Sequence, residues 1–449
     1  MKKNPFDNLP ILSKEEAFNI LSKRTDELTR SSDYYKAAFH LFKYPGPDTQ
    51  KVLLKLVESE SEAHCVVIAR RKAIEVLARH KCVSAIPAIG RCLKSPDPYL
   101  VENAAWALQE LDCNDSGLIQ LMADLLDDSK QNRRVLIQAL GNLGAVSQLP
   151  RIELFLKGSC VSPGILGASI AAVKRLSGAS NQVEELIKLL SLPNQNDRQC
   201  AVNDIIDFGD IQLLPYILKT PVAPSFRVRA VNLLWPKNIE NTNGIDLLNT
   251  IDSLILDDPN YFDLPNNCEI FYDEELLVLE LLNTDYKRSY LALKVLLQKD
   301  PNNLWPILSR HISRMKRDYG ALYFLMILFR SLKGWNHLAL IEIKEITLFC
   351  LGQNWPDFMK FKPAAILTLA KLFPSIAVKH TVSWLDASIT PFWVSRYAAL
   401  MAIQKYPVTG IDQKIKDQIL ISRNDSNRFI KLKAEEISSK YSSENLSLG

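Results

Sequence analysis

The sequence predicts an all-α fold in which pairs of helices stack as a solenoid, and three observations support this prediction. A twelve-residue pattern at Val101–Asp112 recurs at Arg133–Gly144, and weaker copies end at Gly178 and Gly209. The copies end 32, 34 and 31 residues apart, which is the spacing of stacked helix pairs. No segment alternates apolar and polar residues over the length of a strand. The expected fold is therefore an alpha-alpha superhelix of HEAT-like or armadillo-like repeats.

The segment 85–111 shows how one repeat is built. Ala85–Leu93 predicts the first helix, Lys94–Pro98 the turn and Tyr99–Leu111 the second helix, because apolar residues recur at intervals of three and four. Alanines at positions 104, 105 and 107 allow neighbouring helices to approach closely. A single unit cannot bury its apolar stripe alone, so the units are expected to stack.

Residues 1–49 are predicted to form an N-terminal helical cap on the array. A helix is expected to begin at Ser13, because Glu16 three positions later completes a capping box. A second helix starts near Asp33 and ends at the Pro-Gly-Pro sequence of residues 45–47. The HEAT-like repeat array then runs over 50–236.

Three further segments follow the array. Residues 237–273 lose the repeat pattern and are rich in Asn, Asp and Pro, so we expect an irregular connecting segment there. Helical periodicity returns over 274–440 as degenerate helical repeats interrupted by prolines. Residues 441–449 are expected to form a flexible tail.

The composition indicates a folded protein of ordinary type. Hydrophobic residues make up 47% of the chain and charged residues 23%, which excludes intrinsic disorder. The net charge of +4 is small for 449 residues and the basic residues are dispersed, so no nucleic-acid partner is expected. The sequence shows no signal peptide and no membrane span of about 18 apolar residues, which predicts a cytoplasmic location.

The eight cysteines and six histidines indicate neither a metal site nor a redox pair. No two cysteines have the two-residue gap of a zinc ribbon, and the histidines are dispersed, so no metal ligand is predicted. Buried, reduced cysteine is the expected state, as for Cys92 and Cys200. Phosphate-loop, zinc-protease, serine-hydrolase and dinucleotide motifs are missing, so an enzyme site would be built across repeats.

Alignment of the second helices places polar and aromatic side chains in two columns. Trp106 and Gln138 share one column, and Glu102 and Arg134 share the column one turn earlier. Equivalent positions in a solenoid line one face, so these four residues are candidate substrate-binding residues. Arg beside Trp suits a large, flat anionic ligand or an acidic peptide surface. A solvated helix face with a single tryptophan is an equally good explanation.

A third column holds arginines at the start of the second helices, namely Arg133, Arg198 and Arg227. Ion pairing within each repeat is the favoured explanation, as for Arg198 with the adjacent Asp197. These arginines are weaker candidates for ligand binding.

Two pairs of acidic and aromatic residues in the second half are candidate chemical groups: Tyr272 with Asp273, and Asp318 with Tyr319. An Asp can protonate a conjugated ligand, and a phenol can donate a hydrogen bond to it. Asp273, Asp318 and Tyr319 are therefore candidate catalytic residues, and Tyr272 is a candidate substrate contact. The alternative is structural, with Asp273 capping a helix and Tyr319 packed in the core.

Residues 30–235 resemble the phycobilin lyases of the E/F class, in particular the phycoerythrin-directed members. The resemblance rests on Asp33–Pro47 (DYYKAAFHLFKYPGP), on Arg70–Ala78 (RRKAIEVLA) and on the helix Val101–Leu111. It implies an enzyme that binds a linear tetrapyrrole, expected to be phycoerythrobilin, and joins it through a thioether to a cysteine of a phycoerythrin subunit. The bilin is then a substrate, and no permanently bound cofactor is expected.

The resemblance also implies how such a site works. Arg or Lys would hold the two propionates, aromatic side chains would stack on the pyrroles, and an Asp would pair with pyrrole nitrogens. The nucleophile belongs to the acceptor protein, and the need for a second E/F-class lyase subunit as partner stays open.

Two alternative functions also stay open. One is a lyase-isomerase that converts phycoerythrobilin to phycourobilin, although the Asn-His-Cys sequence of one isomerising group is absent and Asn266, Asn267 and Cys268 are its nearest match. The other is a non-catalytic HEAT-repeat scaffold or chaperone for phycobiliprotein assembly, which needs only a broad polar surface.

Overall fold

The structure of this chain is a computed structural model, and about three quarters of its described residues are helical. Those residues are 12–157, 161–236, 241–242, 245–264, 273–353, 360–406 and 413–446. The all-α prediction is confirmed. The chain folds as two compact units, of which the first extends to residue 189 and the second begins at residue 190. This division falls inside the segment 50–236 that the sequence predicted as one array.

The first unit is a row of helix pairs joined by short turns. Its helices are α1 (Lys14–Ser22), α2 (Asp33–His40), α3 (Pro47–Val57), α4 (His64–Arg79), α5 (Ile86–Cys92), α6 (Pro98–Glu110), α7 (Ser116–Asp124), α8 (Arg133–Asn142), α9 (Leu149–Lys157), α10 (Pro163–Ser177) and α11 (Val183–Leu189). The second helices α2, α4, α6, α8 and α10 contact one another in that order. The helices predicted within 85–111 correspond to α5 and α6.

The helix start predicted at Ser13 is confirmed. The Ser13 hydroxyl accepts a hydrogen bond from the Glu16 backbone N–H (3.1 Å), and the Glu16 carboxylate accepts one from the Ser13 N–H (2.7 Å). Each side chain satisfies a backbone donor that the first turn of α1 leaves unpaired.

Residues in the left-handed conformation follow the second helices, at the positions where the sequence pattern ends. Asp112 and Gly144 have φ angles of 51° and 68°, and Gly178 and Gly209 both have 79°. Glycine adopts this conformation without a steric penalty, and Asp tolerates it. The period of the sequence is therefore the spacing of helix C-termini.

Small residues let the second helices of the first unit pack closely. Ala104, Ala105 and Ala107 of α6 are fully buried. A Cβ atom at Gly141 in α8 would lie 2.8 Å from the Cβ of Ala172 in α10, so this contact requires glycine.

The second unit continues the helix pairs with longer, more apolar members. Its elements are α12 (Gln195–Phe208), α13 (Leu214–Leu218), α14 (Pro224–Leu234), β1 (Asn241–Thr242), β2 (Ile245–Asp246), α15 (Leu247–Leu256), α16 (Glu274–Glu280), α17 (Tyr286–Leu296), α18 (Pro301–Met315), α19 (Tyr319–Ser331), α20 (His337–Gly352), α21 (Lys362–Leu372), α22 (Pro374–Leu385), α23 (Trp393–Lys405), α24 (Gln413–Ser422) and α25 (Arg428–Leu446). The strands β1 and β2 pair antiparallel over two residues each.

The structure differs from the sequence prediction over residues 237–273. That segment contains α15, a helix that contacts α21, α23 and α25. Asp252 of α15 accepts hydrogen bonds from Tyr397 (2.8 Å) and Lys433 (2.7 Å). The sequence pattern does not indicate α15 because stretches rich in Asn, Asp and Pro flank it. In addition, the residue in the left-handed conformation after α15 is Asp257, with φ of 51°, and not the glycine that usually marks a helix end.

Among the described residues, no helix combines the length and the apolar character that crossing a bilayer requires. The described cysteines form no disulfide bonds: Cys82, Cys92, Cys113 and Cys350 are buried, whereas Cys65 and Cys200 are half-buried. The prediction of a buried cysteine is thus confirmed for Cys92 and only partly met by Cys200. Burial raises the pKa of Cys350 to about 12, so this thiol stays protonated.

Candidate functional site

The four residues predicted to form a ladder lie on adjacent helices of the first unit. Glu102 and Trp106 on α6 and Arg134 and Gln138 on α8 are all partly exposed. Because α6 and α8 are in contact, the two columns do lie on neighbouring second helices. Arg134 donates to the backbone carbonyl of Gly164 (2.6 Å), which ties α8 to the first turn of α10.

Cations and aromatic rings alternate beside Trp106. The Arg79 guanidinium lies 5.6 Å from the centroid of the Trp106 ring. The Lys72 ammonium lies 5.3 Å from the ring of Tyr35 and 5.6 Å from the ring of Phe39, and these two aromatic side chains are 37% and 50% exposed. We call Tyr35, Phe39, Lys72, Arg79 and Trp106 the cation–aromatic strip. It is a partly exposed surface in which Lys72 and Arg79 both pair with Glu75, and its aromatic and cationic side chains are typical of a protein-contact patch.

The arginine column has a structural role that differs from the predicted pairing. Arg133 donates to the Leu126 carbonyl (2.8 Å), and Arg198 donates to the Leu192 carbonyl (2.9 Å), so both bind backbone of the preceding turn. The carboxylate partner of Arg198 is Asp285 and not the adjacent Asp197. The pairing reaches another repeat because an arginine side chain at a helix start points away from its own first turn.

Arg227 belongs to a fully buried polar cluster in the second unit. Its guanidinium donates to Oδ1 of Asp257 (2.8 Å), and its second amino group donates to the Tyr290 hydroxyl (2.6 Å). The hydroxyls of Tyr290 and Tyr323 both donate to Oδ2 of Asp257. We call these four residues the Arg227 cluster. Burial raises the pKa of Tyr290 and of Tyr323 well above the usual value, so both phenols stay protonated.

A cavity of about 270 Å³ adjoins this cluster in the second unit. Its aromatic lining includes Tyr286, Tyr319, Tyr323 and Trp393, and Leu254 of α15 contributes to the apolar remainder. We call it the tyrosine cavity. Burial, with the nearby Tyr319 and Asp318, raises the pKa of Tyr286, so this phenol is also a hydrogen-bond donor at neutral pH.

Five helices begin at the tyrosine cavity. Pro224 of α14, Tyr286 of α17, Tyr319 of α19, Pro363 of α21 and Trp393 of α23 all line it, and each is the first or second residue of its helix. Asp side chains cap α17 and α19, whereas α14, α21 and α23 have no side-chain cap. Helix N-termini carry partial positive charge, so the cavity favours anionic groups.

Two cationic residues also line the tyrosine cavity, and both are exposed. The Lys360 ammonium lies 5.3 Å from the centroid of the Tyr319 ring. Arg229 donates to the side-chain carbonyl of Asn203 (3.1 Å), which fixes its guanidinium on the α12 side. Arg229, Lys360 and the helix N-termini therefore provide positive charge around an aromatic interior.

Of the predicted residues that the structure describes, Asp318 and Tyr319 lie at or beside this cavity, and Asp273 does not. Tyr319 lines the cavity and is 42% exposed, so it does not pack in the core. Asp318 caps α19 by accepting from the Ala321 N–H (2.9 Å), next to the cavity. Asp273 caps α16 by accepting from the Glu275 N–H (2.9 Å) and is not a cavity residue. Tyr272 lies outside the described residues.

Sequence reasoning missed Tyr286, Tyr323, Arg229 and Lys360 as residues of this cavity. A signal for Tyr286 was present, because the Asp285-Tyr286 pair repeats as Asp318-Tyr319 one repeat period later. No comparable signal marks Lys360, which precedes α21. Within the described ranges, no group of His, Cys, Asp and Glu side chains is placed to hold a metal ion.

Comparison with known proteins identifies relatives over nearly the whole chain. The family model for HEAT repeats matches residues 51–141. The chain is 37% identical over 418 residues to the bilin biosynthesis protein CpeY of Synechococcus sp. (strain WH8020), covering 92% of this chain and 98% of that protein. It is 26% identical over 276 residues to the phycocyanobilin lyase subunit alpha of Nostoc sp. (strain PCC 7120), covering 56% of this chain and 97% of that protein.

A solved structure, the complex of CpcE and CpcF of phycocyanin lyase from Nostoc sp. PCC7120, is also similar. The match has 25% sequence identity and a TM-score of 0.48, and it covers 57% of this chain and 99% of that chain.

Proposed function

Because the chain belongs to the E/F-class phycobilin lyase family, we propose that it attaches a linear tetrapyrrole to a phycobiliprotein cysteine and that the tyrosine cavity binds this bilin. The family assignment rests on the 37% identity to the bilin biosynthesis protein CpeY along nearly both full lengths. The repeats of the two units supply the scaffold, and the second unit supplies a cavity that opens to the surface at Tyr319, Arg229 and Lys360.

The single observation that supports the bilin site is the combination of aromatic walls with positive charge. A bilin is a flat conjugated chain that carries two propionate carboxylates. The rings of Tyr286, Tyr319 and Trp393 offer stacking surfaces, and Arg229 and Lys360 offer cationic partners for the carboxylates. The N-termini of α14, α21 and α23, which no side chain caps, add partial positive charge to that of Arg229 and Lys360.

The volume of the tyrosine cavity indicates how much of the bilin it encloses. About 270 Å³ is slightly below the lower end of the range for pockets that bury a small ligand. A tetrapyrrole would therefore place only part of its length inside. The remaining part would stay accessible, which is what attachment to a second protein requires.

The reaction is an addition in which the acceptor supplies the nucleophile. The cysteine thiolate forms a carbon–sulfur bond at the ring-A ethylidene carbon, and the electrons of the ethylidene double bond move onto the protonated tetrapyrrole. This chain contributes orientation and proton supply. Tyr319 lies at the cavity, and Asp318 is the carboxylate beside it, so these two predicted residues remain our proposed catalytic pair.

The cation–aromatic strip of the first unit is our proposed contact for the acceptor protein. Its rings are exposed at the surface, which suits a protein face better than a single flat ligand. Glu102, Trp106, Arg134 and Gln138 then act in acceptor binding. Arg79 is the exposed cation of the strip, and it shares the carboxylate of Glu75 with Lys72, so one net positive charge favours an acidic face on that protein.

The pigment and the partners are further proposals. Phycoerythrobilin as substrate and a phycoerythrin subunit as acceptor are supported by the sequence resemblance and by the similarity to CpeY. A second lyase subunit is supported by the relative from Nostoc, whose name describes it as a subunit alpha.

Co-expression tests the proposed function directly. The chain, a source of phycoerythrobilin and one phycoerythrin subunit are produced together, and denaturing electrophoresis with fluorescence detection reports covalent pigment. We expect a coloured acceptor band that is lost when Arg229 and Lys360 are both changed to Gln. Free pigment with no coloured band on any subunit, with or without an added second lyase subunit, would contradict the proposal.

A further inference from the structure

Tyr323 links the tyrosine cavity to the Arg227 cluster. Its side chain lines the cavity, and its hydroxyl donates to Oδ2 of Asp257. Tyr290 donates to the same oxygen but does not line the cavity. Arg227 and Asp257 line a second, separate cavity together with Tyr261. Tyr323 is therefore the member of the cluster that a ligand in the tyrosine cavity can touch.

The hydrogen bond to Asp257 determines what Tyr323 can offer to that ligand. A phenol has one proton to donate and two lone pairs that accept. The proton of Tyr323 is committed to a carboxylate, so only its accepting capacity remains. Donation to a charged acceptor also increases the electron density on the phenol oxygen, which strengthens a bond that it accepts.

Asp257 is rigidly held in the conformation that this arrangement needs. It is 2% exposed, its backbone has φ of 51° after the C-terminus of α15, and Arg227 binds its other oxygen. Arg227 also neutralises the charge of Asp257, so the cluster presents no net charge to the cavity. The carboxylate therefore orients Tyr323 without attracting or repelling a ligand over a distance.

We propose that Tyr323 accepts a hydrogen bond from a pyrrole N–H of the bilin, and that Asp257 is the positioning residue that orients it. This inference rests on the proposed function. Pyrrole N–H groups are the donors of a bilin, and an apolar wall offers them few acceptors. A protonated bilin has one more N–H, so an acceptor at Tyr323 stabilises the protonated, electrophilic form.

The prediction concerns the pH at which bound bilin takes up its proton. Ionisable groups that act on Tyr323 or lie at the cavity are, by element, Arg227 and Arg229 on α14, Asp257 after α15, Tyr286 and Tyr290 on α17, Asp318, Tyr319 and Arg330 at α19, and Lys360 before α21. Changing Tyr323 to Phe removes the accepting oxygen and one hydrogen bond to Asp257, and it substitutes none of these other groups.

The test is an absorption titration of the full chain with free phycoerythrobilin. We expect the Tyr323→Phe protein to bind the pigment, while the pH of the long-wavelength transition falls by about one unit, the size of one charge-assisted hydrogen bond. Tyr290→Phe is the matched control, because it removes the other phenol bonded to the same oxygen. Because the Tyr290 hydroxyl also accepts from Arg227, this variant should lower stability at least as much as Tyr323→Phe, and it should leave the transition pH unchanged.

Two results would overturn the inference alone: an unchanged transition in Tyr323→Phe, or an equal shift in Tyr290→Phe, which would indicate a structural effect. Asp257→Asn should shift the transition in the same direction as Tyr323→Phe if that protein folds. Failure of the unmodified chain to bind any pigment would overturn the inference together with the proposed bilin site.

Discussion

The two units use the same repeat architecture but place their arginine–aspartate pairs in different environments. In the first unit, the side chains of Arg71 and Asp97 are 29% and 19% exposed and lie 2.8 Å apart. In the second unit, the side chains of Arg227 and Asp257 are 3% and 1% exposed at the same distance. Water screens the attraction between Arg71 and Asp97. Burial of Arg227 and Asp257 costs desolvation free energy, which their hydrogen bonds offset.

Aromatic residues differ between the units in the same way. Phe39 in the first unit is 50% exposed beside Lys72, and Tyr290 in the second unit is fully buried beside Arg227. A cation next to a ring thus lies at the surface beside Phe39 and is an internal support beside Tyr290. The same helical repeat can therefore form a surface for protein contact in one place and the rigid wall of a cavity in another.

The largest expected effect comes from removing the buried carboxylate charge. Asp257→Asn leaves Arg227 buried without its counter-charge and should lower the free energy of unfolding of the second unit by about 3–5 kcal/mol. Asp97→Asn in the first unit keeps the cap that Asp97 provides to the Tyr99 N–H, so it should cost about 1 kcal/mol or less. Urea denaturation followed by circular dichroism measures both. Equal losses would contradict the contrast between the units.

The second expected effect is catalytic and concerns Asp318. Asn caps helices as well as Asp does, so Asp318→Asn should change the free energy of unfolding by about 0.5 kcal/mol or less. Loss of the charge beside Tyr319 should slow covalent attachment about a hundredfold, as for loss of a general acid or base.

Asp300→Asn is the matched control for Asp318→Asn. Asp300 caps α18 by accepting from the Asn302 N–H (2.7 Å) and does not line the tyrosine cavity. Attachment rates come from the fluorescence of the acceptor band over time. Equal rates for the Asp318 and Asp300 variants would remove Asp318 from the proposed catalytic pair.

The third expected effect concerns bilin affinity. Changing both Arg229 and Lys360 to Gln should weaken binding of free phycoerythrobilin about twentyfold, because two solvent-exposed ion pairs of about 1 kcal/mol each are lost. Arg288→Gln is the control, since this arginine pairs with Glu280 at the surface of the second unit, away from the cavity lining. Absorption titration gives the dissociation constants. A similar loss in the Arg288 variant would indicate a general charge effect and not binding at the cavity.

The fold was predictable because the repeat is local. Each copy of the sequence pattern corresponds to one helix pair. The left-handed residues Asp112 and Gly144 follow the ends of the second helices at the spacing of the repeat. The prediction failed for α15, which contacts not only the adjacent α14 but also α21, α23 and α25, which are far away in sequence. Such contacts have no periodic signature.

The candidate site was predictable only where its residues follow the repeat. Tyr319 came from a local Asp-Tyr pair, and the same pair identifies Tyr286. Arg229 and Trp393 meet at the tyrosine cavity from α14 and α23, which are more than 150 residues apart in the chain, so no pattern joins them. The partner of Arg198 was predicted incorrectly for the same reason, because Asp285 is distant in sequence.

The smallest expected effect concerns Trp106, on the accessible side of the comparison. Its ring is partly exposed and rests against Arg79, so Trp106→Ala should retain the helical circular dichroism. It should weaken binding of the acceptor subunit about fivefold, as for a moderate interface contact, and leave the dissociation constant for bilin within twofold of the original. Surface plasmon resonance with the pigment-free acceptor gives the first value, and absorption titration gives the second.

Tyr99→Ala is the control for Trp106→Ala, because Tyr99 is a 62% exposed ring on the same helix, stacked on Arg71 instead of Arg79. If both variants weaken acceptor binding equally, the contact extends along α6 beyond the cation–aromatic strip. If Trp106→Ala weakens bilin binding and not acceptor binding, the first unit binds the pigment. The proposal that the second unit binds bilin and the first binds the acceptor would then be wrong. Unfolding of the first unit would instead show that the Trp106 ring is part of the hydrophobic core, because loss of a core ring leaves a cavity that the neighbouring side chains do not fill.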